Sequence, residues 1–359
     1  MTVECEREGV PEASLMGFSQ HRLASPISTL RIRDCDLARI LDERVSGRTL
    51  LLADPYNFPA VSGYGRVECV DGADVELCHR LKAAQCGQVI AIGGCSVLDV
   101  GRWVAHCVGA ELIAIPSILS TSCLSVNRSI LYFRDTPVRR ITTAPVETIV
   151  SLPLLTGAPP EMVAKWTHSG LGDLLANLSA AIDFAVRGPE YEDPSRETLE
   201  KLVPDIFGAL QWCLNDFRGY DEDALVRVAQ YLHASSVDVV IKNSTQLSAA
   251  GEHDLYYALI KHQKYSRKCP THGELVSIGT LVATRYYAEQ YGEAELYEQL
   301  REAYVRIGLP VSGAELEAIG VTREHILDGL RSIEGSGSFL LDAVAADDGR
   351  VLADCFGYA

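Results

Sequence analysis

Long apolar runs are absent from this sequence: no stretch approaches the roughly 18 consecutive apolar residues of a membrane-spanning helix. Paired cysteines are missing too. Eleven cysteines lie scattered between Cys5 and Cys355 with no CxxC pair among them, which excludes a cysteine zinc knuckle or a thioredoxin-type motif. Their odd number leaves at least one thiol unpaired and points to a reducing compartment. Positive charge is scarce, with 32 Lys and Arg against 48 Asp and Glu and a formal net charge of −16. Such a surface repels phosphate backbones and anionic lipid, so nucleic acid and membranes are excluded as general partners. The opening MTVECEREGVPE is acidic and has no signal-peptide pattern, and a cytoplasmic location is expected.

What is present is ordinary for a globular chain: 47% hydrophobic and 22% charged residues over 359 positions. That length exceeds the roughly 250–300 residues one hydrophobic core supports, so two domains are expected. The N-terminal part alternates strands and helices. RTLLLADP (48–55), QVIAIGG (88–94) and ELIAIPS (111–117) are short apolar runs suited to buried parallel strands. Between the last two, apolar residues at 97, 100, 104 and 108 repeat with a helical period, completing a βαβ unit. From Pro159 onward the text is helical, over 160–187, 197–217, 222–240, 253–264, 273–291 and 293–307, with GPEYEDPSRE (188–197) as a polar loop. GAPP (157–160) marks the boundary, giving domains 1–157 and 158–359.

Gly93-Gly94-Cys95-Ser96 follows a strand and opens a helix. Glycines there let the backbone turn sharply and approach a ligand, and first-turn amides attract a pyrophosphate. Alone, the turn is equally an ordinary βα connection. Asp54, ending the preceding strand, stands where a carboxylate accepts from ribose hydroxyls, or else simply initiates a turn before Pro55.

GGCSVLDVGRWVA (93–105) resembles the GGGSxxDxAKxxA signature of the iron-type alcohol dehydrogenase and dehydroquinate synthase-like superfamily. PSILSTSCLSVNRSILY (116–132) resembles its PTxxST stretch. SGLGDLLAN (169–177), AAGEHDLYYAL (249–259) and THGELVSIGTL (271–281) resemble blocks of glycerol dehydrogenase and glycerol-1-phosphate dehydrogenase. The five blocks occur in the family's order over roughly residues 45–290.

The resemblance implies an α/β N-terminal nucleotide-binding domain with a parallel sheet and an all-α C-terminal metal-binding domain. It implies a metal-dependent, NAD(P)-linked oxidoreductase that interconverts an alcohol (a polyol or hydroxy-phosphate) and a carbonyl by hydride transfer. Carried over residue by residue, it places a divalent metal on Asp173, His253 and His272. Zinc is expected first, with iron or nickel as alternatives; an O/N/N set leaves a coordination position open for the substrate hydroxyl. Singly, Asp173 is as readily an N-cap and each histidine a core or surface residue. Cofactor contacts fall on Asp54, Gly93, Gly94, Cys95, Ser96, Asp99, Ser117 and Ser120. NAD is favoured over NADP because Asp54 would repel a 2′-phosphate. Relatives are commonly oligomeric, so a homo-oligomer is expected.

Departures from the pattern bear on chemistry. Cys95 fills the third glycine slot, Arg102 replaces the usual Lys, Ser117 a Thr, and Ser151 an Asp. Ser122 stands where polyol dehydrogenases place an aspartate that accepts from a substrate hydroxyl. Thr121 or Ser122 is then the candidate proton relay, and Arg128 the group that meets an acidic substrate. The basic run KHQKYSRK (261–268) offers Arg267 or Lys268 to a phosphate-bearing substrate, and His262 competes as a metal ligand. Two other readings stand beside the dehydrogenase. A sugar-phosphate cyclase is disfavoured by Asp173 in place of Glu and by the absence of the cyclase lysine in 116–132. A degenerate, non-catalytic nucleotide- or metal-binding relative is opposed by retention of all three ligands.

Overall fold

Uninterrupted apolar runs bounded by turns become the interior strands of a six-stranded sheet, ordered β1-β8-β5-β4-β2-β3. These are β1 (Thr29–Arg33), β2 (Thr49–Ala53), β3 (Val67–Cys69), β4 (Gln88–Gly93), β5 (Glu111–Pro116) and β8 (Glu147–Ser151). The computed structural model describes residues 25–82, 84–134, 136–187, 194–263, 269–333 and 350–358, with the backbone alone at 262–263. From β3 through β2, β4 and β5 to β8 every pairing is parallel. Every residue of β2 and β8 is buried, as strands covered on both faces require.

Helices α1 (Leu37–Arg44), α2 (Phe58–Val61), α3 (Val75–Leu81) and α4 (Cys95–Val108) join these strands, and a β6–β7 hairpin (Arg128–Phe133, Thr136–Ile141) pairs antiparallel apart from the sheet. Because β3 and β4 flank β2 on opposite sides, the strand order reverses between β2 and β4. In open parallel sheets a ligand crevice forms at the carboxyl ends of strands at such a point. Asp54 and Gly93-Gly94 stand there, at the ends of β2 and β4.

The rest is helical: α5 (Leu152–Thr156), α6 (Pro160–Arg187), α7 (Arg196–Leu202), α8 (Pro204–Asn215), α9 (Glu222–Lys242), α10 (Gly251–Gln263), α11 (His272–Tyr291), α12 (Ala294–Ile307), α13 (Gly313–Ala318), α14 (Arg323–Ser332) and α15 (Arg350–Phe356). The single helix expected over 197–217 is two, because Pro204 has no amide hydrogen to continue α7 and instead starts α8. Strands β1, β3, β6, β7 and β8 were not anticipated from the sequence.

The chain forms two compact units. Among the described residues, one is built from those up to Arg31 with Leu37–Pro116 and Ser125–Ile149, the other from Ile32–Asp36, Ser117–Leu124 and those from Val150 onward. In the second unit α6 and α11 cross with backbones nearly touching. A Cβ added at Gly273 would lie 2.0 Å from the Ser169 carbonyl oxygen. No helix among the described residues is long and apolar enough to cross a membrane.

Candidate metal centre and nucleotide turn

Asp173 lies in the middle of the 28-residue α6, which rules out its N-cap alternative. It is 2% exposed, and a buried carboxylate is retained only where charge and hydrogen bonds answer it. His253 comes from the first turn of α10. His272 is the first residue of α11, aimed by a capping box in which Thr271 accepts from the Glu274 amide and Glu274 accepts from the Thr271 amide. Asp173 Oδ1 lies 2.9 Å from His272 Nε2 and 3.2 Å from His253 Nε2. Donor atoms from the three residues all fall within 4.8 Å of one another. Tyr256, one turn after His253, sets its ring edge-on to His272 at 4.3 Å between centroids.

Asp173 Oδ2 is held separately. The Ser122 amide and hydroxyl both donate to it, at 2.7 and 2.9 Å. Ser122 is therefore turned into the acidic ligand, a contact its place in the sequence did not suggest. The segment Ser117–Leu124 is itself pinned to the helices: Ser236 donates to the Ser122 carbonyl (2.5 Å) and Ser169 to the Ser120 carbonyl (2.9 Å). Thr121 Oγ1 accepts from the Cys123 amide at 3.2 Å.

Behind His253, Nδ1 lies 2.9 Å from Glu252 Oε1. Burial works against charge on His253, yet its bonds to Asp173 and Glu252 raise the imidazole to about 10. Burial likewise works to raise Asp173, and His272 and His253 override it, holding the carboxyl well below the usual range. A carboxyl held low beside an imidazole pushed up marks the cluster as one whose electrostatics favour positive charge. Glu252, Ser179, Ser236 and Tyr256 escaped the sequence reading; the Glu-His dipeptide at 252–253 was the one available signal.

In the other unit, Gly93 has φ +154°, and a Cβ there would lie 2.7 Å from both Asp54 Oδ2 and Val97 Cγ2. Gly94 caps α4 without a side chain, and Cys95 and Ser96 form its first turn. This arrangement presents first-turn amides to an anion. Both Asp54 oxygens accept from Asn57, the closest bond being the Asn57 amide at 2.8 Å. Asp99 is used internally: its Oδ1 accepts from buried Arg102 (2.8 Å) and from the Ile130 amide (3.2 Å). Arg128 opens β6 in this same unit and donates to Asn127 at 2.9 Å; burial lowers its guanidinium pKa. Ser117 and Ser120 belong to the unit that holds Asp173. Arg267, Lys268 and the side chain of His262 lie outside the described residues.

A parallel sheet with a glycine turn at its switch point and a helical Asp/His/His centre define the class: the fold is that of the iron-containing alcohol dehydrogenases. Such an enzyme from Corynebacterium glutamicum superposes with a TM-score of 0.63 at 14% identity, covering 95% of this chain and 97% of that one. In sequence, the chain is 24% identical over 347 residues to the NAD(P)+ glycerol-1-phosphate dehydrogenase of Haloquadratum walsbyi, covering 89% of this chain and 93% of that protein. It is 26% identical over 265 residues to a glycerol dehydrogenase of Escherichia coli, covering 70% and 67%. These names match the family that the sequence blocks resemble. No protein-family model matches the chain.

Proposed function

We propose that the protein is a metal-dependent, NAD(P)-linked dehydrogenase interconverting a polyol or hydroxy-phosphate with its carbonyl form. The convergence of Asp173, His253 and His272 within 4.8 Å carries this reading. One carboxylate and two imidazoles suit zinc or another borderline divalent ion, and a three-ligand set leaves room for substrate. A divalent ion held there supplies an electrophile that acidifies a substrate hydroxyl and polarises the product carbonyl.

The chain's own residues then have separable tasks. Asp173 offers Oδ1 while Ser122 fixes Oδ2. His253 and His272 present Nε2. Gly93, Gly94, Cys95 and Ser96 receive the cofactor phosphates, and Asp54 the ribose, favouring NAD. Asp99 shapes the turn through Arg102 and Ile130 rather than touching cofactor. Ser117, Ser120, Thr121 and Arg128 remain assigned to cofactor or substrate by position. We also assign the nucleotide-binding part to 1–157, the metal- and substrate-binding part to 158–359, and a homo-oligomeric state to the protein.

The test is metal content joined to turnover. Purified wild-type protein is expected to carry about one zinc, iron or nickel ion per chain and to change nicotinamide absorbance with a polyol or hydroxy-phosphate. His253→Ala is expected to lose both. Equal metal in the two proteins would sink the ligand assignment, and no redox turnover with any alcohol or carbonyl would sink the dehydrogenase reading.

A further inference from the structure

Glu252 is a buried carboxylate, its side chain 1% exposed, next in sequence to a proposed ligand. Its contacts are complete. Oε1 accepts from the Ala250 amide at 2.7 Å and meets His253 Nδ1 at 2.9 Å. Oε2 lies 3.1 Å from Ser179 Oγ, whose hydrogen is shared with the Ala176 carbonyl at 2.8 Å. Ser179 stands on α6, the helix that supplies Asp173. Hydrogen bonds thus run from Asp173 to His253, on to Glu252, and back through Ser179 to the same helix.

We infer that Glu252 is a positioning residue for the metal site: it fixes His253 with the proton on Nδ1 and brings the second negative charge that balances a divalent ion. The inference rests on the metal reading above. An ionised carboxylate has no hydrogen to give, so its contact with Nδ1 requires that nitrogen to carry one. Nε2, which donates to Asp173 Oδ1 without an ion, is thereby the nitrogen that would give up its hydrogen and offer a lone pair to a metal. A carboxylate behind a ligating histidine also strengthens the imidazole as a donor. Charge gives the second half of the argument. Asp173 and Glu252 together carry two negative charges in a buried site, so a divalent ion with neutral imidazoles makes the ensemble neutral, the state that burial favours.

The experiment titrates zinc into metal-stripped full-length protein against a competing chelator, comparing wild type, Glu252→Gln and Ser179→Ala. Glutamine keeps an oxygen toward Ala250 and Nδ1 and offers an amide to Ser179, so it removes charge and little else. Glu252→Gln is expected to weaken zinc binding by about 10–100-fold. In the zinc-loaded wild type, the His253 Nδ1 proton is expected far downfield in histidine-labelled spectra, and upfield of that position in Glu252→Gln. Ser179→Ala keeps the charge, so it should bind zinc more tightly than Glu252→Gln while shifting the same proton; it carries the test if Glu252→Gln does not fold. A merely structural Glu252, capping the first turn of α10, predicts unchanged affinity and an unmoved proton in both variants, and that result overturns the inference. Absence of zinc binding by the wild type overturns the metal reading beneath it instead.

Discussion

At the scale of single residues, Ser122 shows how a position changes meaning once its neighbours are known. By place in the sequence it reads as a substrate contact; in the structure its amide and hydroxyl are spent on Asp173 Oδ2. Ser122→Ala removes one of the two donors to a buried carboxylate. A hydrogen bond to a charged group contributes about 1.5–3 kcal/mol, so zinc affinity is expected to fall more than tenfold, read by chelator competition. Unchanged affinity would mean that the amide alone orients Asp173. The ligands themselves were legible as residue types in three recognisable blocks. Glu252 was not, because an acidic residue in helical text reads as solvated surface until packing buries it. Asp99, for which the resemblance implies a cofactor contact, also forms an i, i+3 ion pair with Arg102 that the sequence reading had not drawn. Ser151 accepts from the Leu154 amide as the N-cap of α5, a task for which serine and aspartate serve alike.

At the scale of elements, the long helices between residues 160 and 307 were read closely, whereas the short helices α1–α3, α5 and α13–α15 and most strands were not. The long helices of the second unit carry their periodicity on their own faces. In the β6–β7 hairpin the short apolar run Ile130–Phe133 follows Arg128 and Ser129, and β7 carries Arg139 and Arg140 with Pro137, so the pair lacks the turn-bounded apolar text of the sheet's central strands. The Ser117–Leu124 segment has no regular structure at all and is defined by serine bonds to helices distant in sequence. Two glycines make element-scale predictions. Gly273→Ala forces α11 away from α6, and overpacking of this kind costs about 2–3 kcal/mol, lowering the thermal midpoint by about 3–6 °C. A midpoint within a degree of wild type would show that the crossing yields freely. Gly93→Ala meets both a left-handed backbone angle and the Asp54 carboxylate. It is expected to weaken NAD binding at least tenfold by calorimetry while leaving zinc content unchanged; an equal loss of zinc would indicate general misfolding.

For the whole molecule, the Asp/His cluster links stability to pH and to metal. In the metal-free protein, His253 is raised from 6.5 to about 10. A raised histidine gives stability that is complete below its unfolded value and lost as pH climbs through its folded one. Asp173, held low, adds stability that is lost only in acid. The stripped protein should therefore melt at progressively lower temperature from pH 6 toward pH 9. Zinc takes the proton's place and removes that loss, so the gap in midpoint between loaded and stripped protein should widen over the same range. A gap that stays constant or narrows would contradict the linkage. Binding should also release roughly one proton per ion near pH 7.5, measurable by calorimetry in buffers of different ionisation enthalpy.

The serine-stitched segment Ser117–Leu124 also has a consequence during synthesis. It leaves the ribosome about fifty residues ahead of Asp173 and more than a hundred ahead of the stretch that supplies Ser236, so it must wait without partners while the chain is still growing. A fragment beginning at residue 158 would carry every proposed ligand and still lack the Ser122 donors. Supplying residues 1–157 as a separate piece, and asking whether zinc binding returns, would reveal whether this early segment can find its place after the fact.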